Sequence, residues 1–397
     1  MTSKDEKLEE AIEYQIKTFE IYKAILKEDG LAYQDIKKII KNKEYWRIPS
    51  IDAEMFKRSR NLYLDLANTN VEGIFHCSSS TSGDPSLVYL SYSDLEYKLN
   101  NFSQSLNVEE CSGGIGFAFP STFSEKVSKR MKKLFSGLDN YKLLPVMFFG
   151  SLGVEKNYED LHYYVTGIKI IKTIANYLKG NKRPVYNYLS NDDLYTIIKK
   201  YEEKKEPIML GGFVLLLYSA LKGLKDHINK NFNLGNKAYI VTGAGGWSGV
   251  KGIFKGEKIN KQRFVEEMCE LFNIDRRYVS NNFRDMYAFT ESPTTHLGFF
   301  DIELGDYKFK PHPDSMIYII NKNSGEPVNE GEEGVIKVIT FRKIEGSPTV
   351  VVQQHDVARL IKKGKYEEAL EFTNIHREKG YKPAGCSLKA AELLRKE

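Results

Sequence analysis

Apolar residues recur along the chain with two different periods, which divide it into regions of different predicted structure. Between residues 3 and 45 apolar positions such as Leu8 and Ile12 follow helical spacing, and Asp29-Gly30 interrupts the pattern. This pattern predicts N-terminal helices separated near that dipeptide, within a helical segment of residues 1–60.

From about Phe75 short apolar runs alternate with longer stretches of helical pattern. The runs that are typical of buried strands are "SLVYLS", "GIGFAFP", "LLPVMFFG", "PIMLGGF" and "KAYIVTG". The predicted helices are "SEKVSKRMKKLFSGL", "DDLYTIIKKYEEKK" and "GFVLLLYSALKGLKDHINKN". Strand followed by helix, repeated, predicts an α/β fold with a mainly parallel sheet flanked by helices.

The last hundred residues follow another pattern. Residues 300–355 alternate apolar and polar positions between Gly-containing turns, which predicts a small β-meander or barrel. From about Ala358 the chain is basic and its pattern indicates a short helical tail. We therefore expect a large domain over residues 1–357 and a reduced C-terminal segment over residues 358–397.

Composition and charge narrow the class of protein. The 58 basic and 53 acidic residues leave a net charge of only +5 with no Arg-rich block, so we expect no nucleic-acid partner. The start of the chain has no signal-peptide pattern, and the longest apolar run is too short and interrupted to span a membrane. Four widely separated cysteines favour the reducing cytoplasm: Cys77, Cys111, Cys269 and Cys386.

The stretch "HCSSSTSGDPS" concentrates small hydroxyl residues and a glycine before an apolar run. Small residues allow backbone N–H groups and hydroxyls to surround a phosphate. The stretch lacks the GK[ST] ending of a nucleotide P-loop, and the same composition is typical of a plain turn. Both interpretations stay open for residues 78–86.

Three further stretches carry candidate chemistry. In "YIVTGAGGWSG" glycines let a flat ring approach the backbone with Trp247 as a wall, although a tight turn beside a core tryptophan is an equal alternative. In "MYAFTES" Glu291 is a candidate Mg²⁺ ligand, or part of a helix start. In "VVVQQHDVARL" the Asp356 carboxylate is suited to accept hydrogen bonds from a ribose diol.

Near the end of the chain, "KPAGCSLKAAELL" predicts a helix capped by Ser387. Cys386 would then lie at the positive end of that helix, with Lys382 and Lys389 nearby, a setting that favours a thiolate. An incidental cysteine is the alternative.

The order of these stretches resembles the adenylate-forming superfamily, which activates carboxylic acids as acyl-adenylates. "SSSTSGDPS" resembles its phosphate loop, "YAFTE" resembles its YGxTE motif, and Asp356 corresponds to its ribose-binding aspartate. The chain departs from the superfamily at Ser80, where Gly is frequent, at Ser86, where Lys is frequent, and in its short C-terminal segment. The lysine of the usual lid is therefore not carried over, and Lys382 and Lys389 are only candidates for it.

Within the superfamily, "GAGGW" and "AGCSL" are similar to stretches of the acyl-protein synthetases of bacterial luminescence, the long-chain-fatty-acid–luciferin-component ligases; Ala384 replaces their arginine. The resemblance implies ATP and Mg²⁺ as cofactors, a fatty acid substrate, Cys386 as acyl acceptor and a fatty acid reductase as partner. It implies catalytic roles for Thr290 and Glu291, with Glu291 on the metal. The implied nucleotide-binding residues are Ser78, Ser79, Ser80, Thr81, Ser82, Gly83, Gly243, Ala244, Gly245, Gly246, Trp247, Tyr287 and Asp356.

Two alternatives to this function stay open. One is an acyl- or aryl-CoA ligase of the same fold in which Cys386 has no role. The other is a binding protein that keeps the nucleotide pocket without its chemistry, which the departures at Ser80 and Ser86 favour.

Overall fold

The computed structural model describes most of the 397-residue chain. The described residues are 3–58, 71–78, 86–106, 108, 111–120, 142–145, 152, 155–169, 172, 186–243, 245–248, 250–251, 254–255 and 257–378.

The helices lie mainly in the N-terminal third and between the strands of the parallel sheet. They are α1 (Lys4–Thr18), α2 (Glu20–Glu28), α3 (Tyr33–Lys41), α4 (Met55–Arg58), α5 (Tyr92–Leu106), α6 (Asn191–Lys204), α7 (Val214–His227), α8 (Lys261–Phe272) and α9 (Val279–Asn282). Short 3₁₀ turns cover Tyr45–Arg47, Gly235–Lys237 and Arg276–Tyr278.

The strands that the structure describes form one large sheet and three small ones. They are β1 (Ile51–Asp52), β2 (Gly73–Cys77), β3 (Leu87–Ser91), β4 (Gly113–Phe117), β5 (Leu143–Pro145), β6 (Asp160–Tyr163), β7 (Val165–Ile168), β8 (Tyr186–Tyr188), β9 (Ile208–Phe213), β10 (Ala238–Gly243), β11 (Val250–Lys251), β12 (Phe254–Lys255), β13 (Phe283–Tyr287), β14 (His296–Asp301), β15 (Asp306–Lys310), β16 (Ser315–Ile320), β17 (Glu333–Thr340), β18 (Val351–Lys363) and β19 (Ala369–Arg377).

One half of the large sheet is parallel. Strands β6, β4, β9, β10 and β13 pair in that order, each parallel to its neighbour. Helix α6 precedes β9 in the chain, and helix α7 lies between β9 and β10. Both helices bury apolar residues such as Leu194, Ile198 and Leu217 against this half of the sheet. Because parallel strands end at the same edge, the segments that follow β10 and β13 emerge side by side.

The other half is antiparallel and continues the same sheet. From β13 the order runs through β14, β15, β19, β18 and β17 to β16, and β1 adds to β18 in parallel, so that twelve strands join among the described residues. The predicted meander is therefore present, but as an extension of the parallel sheet. Strand β13 joins the two halves, because it pairs with β10 on one side and with β14 on the other.

The predicted helix from Ala358 is wrong for the residues that the structure describes there. Ala358 lies within β18, and Ala369–Arg377 forms β19, which pairs with both β18 and β15. Pairing with neighbouring strands decides the conformation of this stretch, because local helix preference is weaker than tertiary context. The remainder of the predicted tail, residues 379–397, lies outside the described part, and the predicted boundary at residue 357 stays a prediction.

The N-terminal helices pack on the antiparallel half and on the small sheet β3-β2-β5. A capping box joins Ser3 and Glu6 at the start of α1, and Phe19 separates α1 from α2, a break that the sequence pattern does not predict. A second hydrophobic core unites these helices with β2, β3 and β16–β18. Among the described residues no helix is long and apolar enough to cross a membrane.

Candidate functional site

The candidate site begins at the carboxyl edge of the parallel strands. Gly243, the last residue of β10, pairs with Met286, so the glycine turn after β10 lies beside the end of β13. Tyr287 ends β13, and Thr290 and Glu291 follow within the next turn. The stretches "YIVTGAGGWSG" and "MYAFTES" therefore meet at this edge.

Asp356 reaches the same edge from the antiparallel half. The Tyr287 hydroxyl donates to Asp356 Oδ2 at 3.1 Å, and Arg377 Nη1 donates to Asp356 Oδ1 at 3.1 Å. Arg377 is the register partner of Asp356 on β19. Burial and the Asp356 charge hold the pKa of Tyr287 well above its usual value, so its hydroxyl stays a donor. The Asp356 carboxylate is thus oriented by two donors, one neutral and one charged.

The base of the candidate phosphate loop contacts Glu291. Ser78 N donates to Ser86 O at 2.9 Å and Ser86 N donates to Ser78 Oγ at 2.8 Å. These two bonds join the first and last residues of the loop. The Ser86 hydroxyl hydrogen bonds to the Glu291 carboxylate. Burial raises the pKa of Glu291, while the Ser86 hydrogen bond and the charges of Lys98 and Lys57 act in the opposite direction.

Electrostatic interactions join these two groups into one site. Burial lowers the pKa of Arg377, but the negative charges of neighbouring carboxylates, Asp356 first and also Glu291, outweigh it, and the pKa is above its usual value. The rings of Tyr287 and Phe289 are 5.6 Å apart, which keeps the segment between Tyr287 and Glu291 close to β13. The ribose candidate Asp356 and the metal candidate Glu291 therefore act on the same neighbouring groups.

Lys98 of α5 lies behind this turn and was not identified from the sequence. Its Nζ donates to Phe289 O at 3.1 Å and to Thr290 O at 2.7 Å. The side chain is buried, and burial lowers the pKa of Lys98 to about 7, although the Glu291 charge raises it. The available signal was three polar residues at helical spacing on one buried face: Asp94, Lys98 and Asn101.

Trp247 follows the glycine turn, and the buried carboxylate of Asp285 holds its indole N–H. Gly245 and Gly246 have φ of 65° and 107°, a region that side chains disfavour, so the turn requires glycine there. Trp247 Nε1 donates to Asp285 Oδ2 at 3.2 Å, and Thr242 Oγ1 donates to Asp285 Oδ1 at 2.9 Å. Burial raises the pKa of Asp285.

The indole of Trp247 packs on the rings of Phe264 and Tyr307, with centroids 5.4 and 5.7 Å away, and stays half-buried. Trp247 therefore packs as a core tryptophan beside a tight turn, one of the two alternatives that the sequence left open. This packing also leaves part of the indole at the site edge.

A segment that precedes the loop braces β18 beside Asp356. Strand β1 pairs with β18 through Ile51 and Asp52, and Asp52 Oδ1 lies 2.7 Å from His355 Nε2. His355 therefore has a structural partner next to Asp356.

The available ligands suit Mg²⁺ that is held partly by substrate phosphates better than a metal ion that is held by protein side chains alone. Among the described residues no three His, Cys, Asp or Glu side chains group as a metal site. Mg²⁺ is usually held by one or two carboxylates together with water and substrate phosphates. The single buried Glu291 carboxylate beside the loop base fits that pattern.

The cysteines that the structure describes are poor nucleophiles. Cys77 and Cys111 are buried and Cys269 is half-buried. Burial raises the pKa of the Cys77 thiol to about 12 and that of Cys269 to about 11. Thiols in such surroundings stay protonated at neutral pH and are unreactive.

The structure thus brings Gly243, Tyr287, Glu291 and Asp356 to one edge of the large sheet, and Ser78, which follows β2 of the neighbouring small sheet, is linked to Glu291 through Ser86. Several predicted site residues lie outside the described part, namely Ser79, Ser80, Thr81, Ser82, Gly83, Ala244 and Cys386, with the lysine candidates Lys382 and Lys389. Three residues of the site, Arg377, Lys98 and Asp285, were not selected from the sequence.

A separate surface cavity of about 440 Å³ lies away from these residues. It is lined by Lys199, Glu202, Glu203, Lys205, Asn233, Leu234 and Lys237. These residues precede β9 and β10, at the amino edge of the parallel strands, and so at the opposite edge from Gly243 and Tyr287.

Comparisons with known proteins identify the fold. A scan against protein-family models finds no match, and a search of curated proteins finds none either. The open conformation of 2-hydroxyisobutyryl-CoA ligase, in complex with 2-HIB-AMP and CoA, gives a TM-score of 0.57 at 11% identity, over 94% of this chain and 73% of that chain. The same ligase in its thioesterification state gives 0.57 at 11% identity, over 93% and 65%.

A third structure, of this ligase in the postadenylation state with R3-HIB-AMP, gives a TM-score of 0.55 at 10% identity, over 93% and 65% of the two chains. The chain therefore spans 65 to 73% of the length of these structures. The likeness shows that the chain shares the α/β fold of these ligase structures, and the predicted α/β fold class is confirmed.

Proposed function

We propose that the protein uses ATP to activate a carboxylic acid as an acyl-adenylate and then transfers the acyl group to a thiol. One observation carries the proposal: Tyr287, Asp356 and Arg377 form a hydrogen-bonded group at the same sheet edge as Glu291 and the loop base. These are the chemical groups that a ribose, a metal ion and phosphates require. The shared fold supports the proposal.

Nucleotide binding follows from the orientation of Asp356. Its carboxylate accepts hydrogen bonds, and a ribose diol supplies two donors. Arg377 Nη1 pairs with Asp356 Oδ1 at 3.1 Å and so helps to fix the orientation of the carboxylate. The glycine turn at Gly245 and Gly246 and the half-buried Trp247 are suited to the flat adenine ring, which would lie beyond the carboxyl ends of β10 and β13.

In the first step an oxygen of the substrate carboxylate attacks the α-phosphorus of ATP. The bond from that phosphorus to the bridging oxygen breaks, and pyrophosphate leaves with the electron pair. A carboxylic acid is already ionised at neutral pH, so no base is required. Fixed donors that face the developing charge then supply most of the rate enhancement. Ser78 to Gly83 would surround the leaving phosphates, and Thr290 would contact the α-phosphate.

Glu291 would hold Mg²⁺, which when bound offsets the charge of the phosphates. The Ser86 hydroxyl orients the Glu291 carboxylate from the loop side. Burial excludes water around this carboxylate and strengthens each of its electrostatic interactions.

In the second step a thiolate attacks the carbonyl carbon of the acyl-adenylate and AMP leaves. We assign this thiol to Cys386, because Cys77 and Cys111 are buried and burial raises the pKa of the Cys77 and Cys269 thiols. The resemblance stated above favours a long-chain fatty acid as the substrate and a fatty acid reductase as the partner that takes the acyl group from Cys386.

The test is incubation with ATP, Mg²⁺ and labelled fatty acids, then denaturing electrophoresis and peptide mapping. The proposal predicts that label stays on the peptide that contains Cys386, and that Cys386→Ala abolishes it. Label found only in small molecules in the presence of coenzyme A, equally with Cys386→Ala, would support a CoA ligase. If neither product forms with any acid, a binding protein without chemistry becomes the better interpretation.

A further inference from the structure

Helix α5 connects the candidate phosphate loop to the Thr290–Glu291 turn. The helix begins directly after β3, which follows the loop. Its Lys98 donates to the carbonyl oxygens of two successive residues, Phe289 at 3.1 Å and Thr290 at 2.7 Å. A single buried ammonium therefore fixes the backbone immediately before Glu291.

We propose that Lys98 is a positioning residue for the adenylation step: it holds the Thr290–Glu291 turn in register with the phosphate loop. This inference rests on the proposed function. Lys98 acts through the turn and does not contact the substrate.

Three observations support this role. Lys98 is 4% exposed, so its charge is held inside the protein where an ammonium is costly unless it is compensated. Its charge acts on Glu291, itself 5% exposed, which provides part of that compensation. The Ser86 hydroxyl contacts the same carboxylate from the loop, so Glu291 is fixed from two elements at once.

A second buried lysine provides a matched control. Lys337 Nζ donates to Trp46 O and Ile48 O, both at 2.6 Å, and its side chain is also buried. Both lysines therefore bind two nearby backbone carbonyls in the interior. Lys337 joins β17 to the N-terminal helical segment and makes these bonds away from the Thr290–Glu291 turn.

The experiment compares Lys98→Met with Lys337→Met in the full-length protein. We expect both variants to unfold at a lower temperature than wild type. In acid-dependent ATP–pyrophosphate exchange, Lys98→Met should lower kcat by about 100-fold, the size expected when catalytic groups are misplaced by about 1 Å, with little change in the KM for ATP. Lys337→Met should keep the wild-type kcat at temperatures where it is folded.

A second measurement does not depend on activity. Hydrogen exchange of the amides at residues 289–292 should be faster in Lys98→Met than in Lys337→Met, because only the first variant frees these carbonyls. Lys98→Gln, which keeps a shorter neutral donor, is the milder variant if Lys98→Met is unstable, and it should give an intermediate kcat.

Two results would overturn the inference: wild-type kcat in Lys98→Met or Lys98→Gln, or an equal loss of kcat in Lys337→Met. If the wild-type protein shows no ATP–pyrophosphate exchange, the proposed function is contradicted instead. In that case the hydrogen-exchange measurement still tests the positioning role: it is refuted if the amides at residues 289–292 exchange no faster in Lys98→Met than in Lys337→Met.

Discussion

The Tyr287 hydroxyl donates a hydrogen bond of 3.1 Å to Asp356 Oδ2, across 69 positions of the chain. Tyr287 is the last residue of β13, on which the parallel and antiparallel halves of the sheet meet. Asp356 lies on β18, in the antiparallel half. The bond therefore ties the carboxyl end of β13 to a strand of the antiparallel half of the sheet.

Replacement of Asp356 tests its assignment to the ribose. We expect Asp356→Asn to raise the KM for ATP by about 10- to 100-fold, the effect of losing a hydrogen bond to a charged group worth about 1.5–3 kcal/mol. Initial rates of ATP–pyrophosphate exchange at varied ATP measure this. Tyr287→Phe removes the donor and keeps the carboxylate with Arg377, so its effect on KM should be smaller. A larger effect in Tyr287→Phe would argue against Asp356 as the ribose ligand.

Glu291 should show opposite effects on stability and on activity. Because burial raises the pKa of Glu291, the ionised carboxylate costs stability as the pH rises through that pKa, and Glu291→Gln removes this cost. We expect the free energy of unfolding at neutral pH to stay equal or increase, whereas Mg²⁺-dependent exchange falls by about 100-fold.

Urea denaturation and exchange assays measure the two effects of Glu291→Gln, and the exposed Glu303→Gln is the control. Full activity of Glu291→Gln would remove Glu291 from the site. A large loss of stability would mean that the ionised carboxylate is needed for folding.

The indole of Trp247 should stabilise the turn mainly through Asp285. Trp247→Phe keeps an aromatic ring and removes the N–H donor, so we expect a loss of about 1–3 kcal/mol for an incompletely paired buried carboxylate. In a double-mutant cycle, Asp285→Asn should reduce that loss. Free energies that add within about 0.5 kcal/mol would show that Trp247 and Asp285 are not coupled.

Lys337 predicts a specific pH dependence of stability. Burial lowers the pKa of Lys337 to about 7, below the usual value of 10.5. Between these pH values the unfolded state binds more protons, so the free energy of unfolding rises with pH, by at most about 1.4 kcal/mol per unit for this group.

Urea denaturation of wild type and Lys337→Met at pH 7 and pH 9 isolates this contribution, because the other titrating groups are common to both proteins. The wild-type protein should gain more stability over this interval. Parallel curves for the two proteins would mean that Lys337 titrates normally.

Strands of the parallel half were predictable because they carry continuous apolar runs with glycine at or near the carboxyl end. "PIMLGGF" and "KAYIVTG" form β9 and β10 as expected, and the predicted helices at α6 and α7 are present. The stretch after Ala358 misled the prediction because its Lys, Glu, Ala and Leu residues favour helices, whereas pairing with β17 and β15 makes it two strands.

The site was predictable only in its separate parts. Each motif could be selected by residue type, but the pairing of Asp356 with Arg377 depends on the register of β18 and β19, which the local sequence does not encode. Lys98 was missed because a lysine on a helix is usually exposed, and here the backbone carbonyls of a distant turn make burial tolerable. The sequence pattern likewise gave no indication that Asp285 would hold Trp247.

The central claim is that the carboxyl edge of β10 and β13 binds ATP and exposes its α-phosphate to a carboxylate. Pyrophosphate exchange into ATP, measured with Mg²⁺ and a panel of fatty and aromatic acids, tests it most directly. The account predicts exchange that requires an acid and is strongly reduced in Asp356→Asn and Glu291→Gln. Exchange that is absent with every acid, or unaffected by both substitutions, would contradict it.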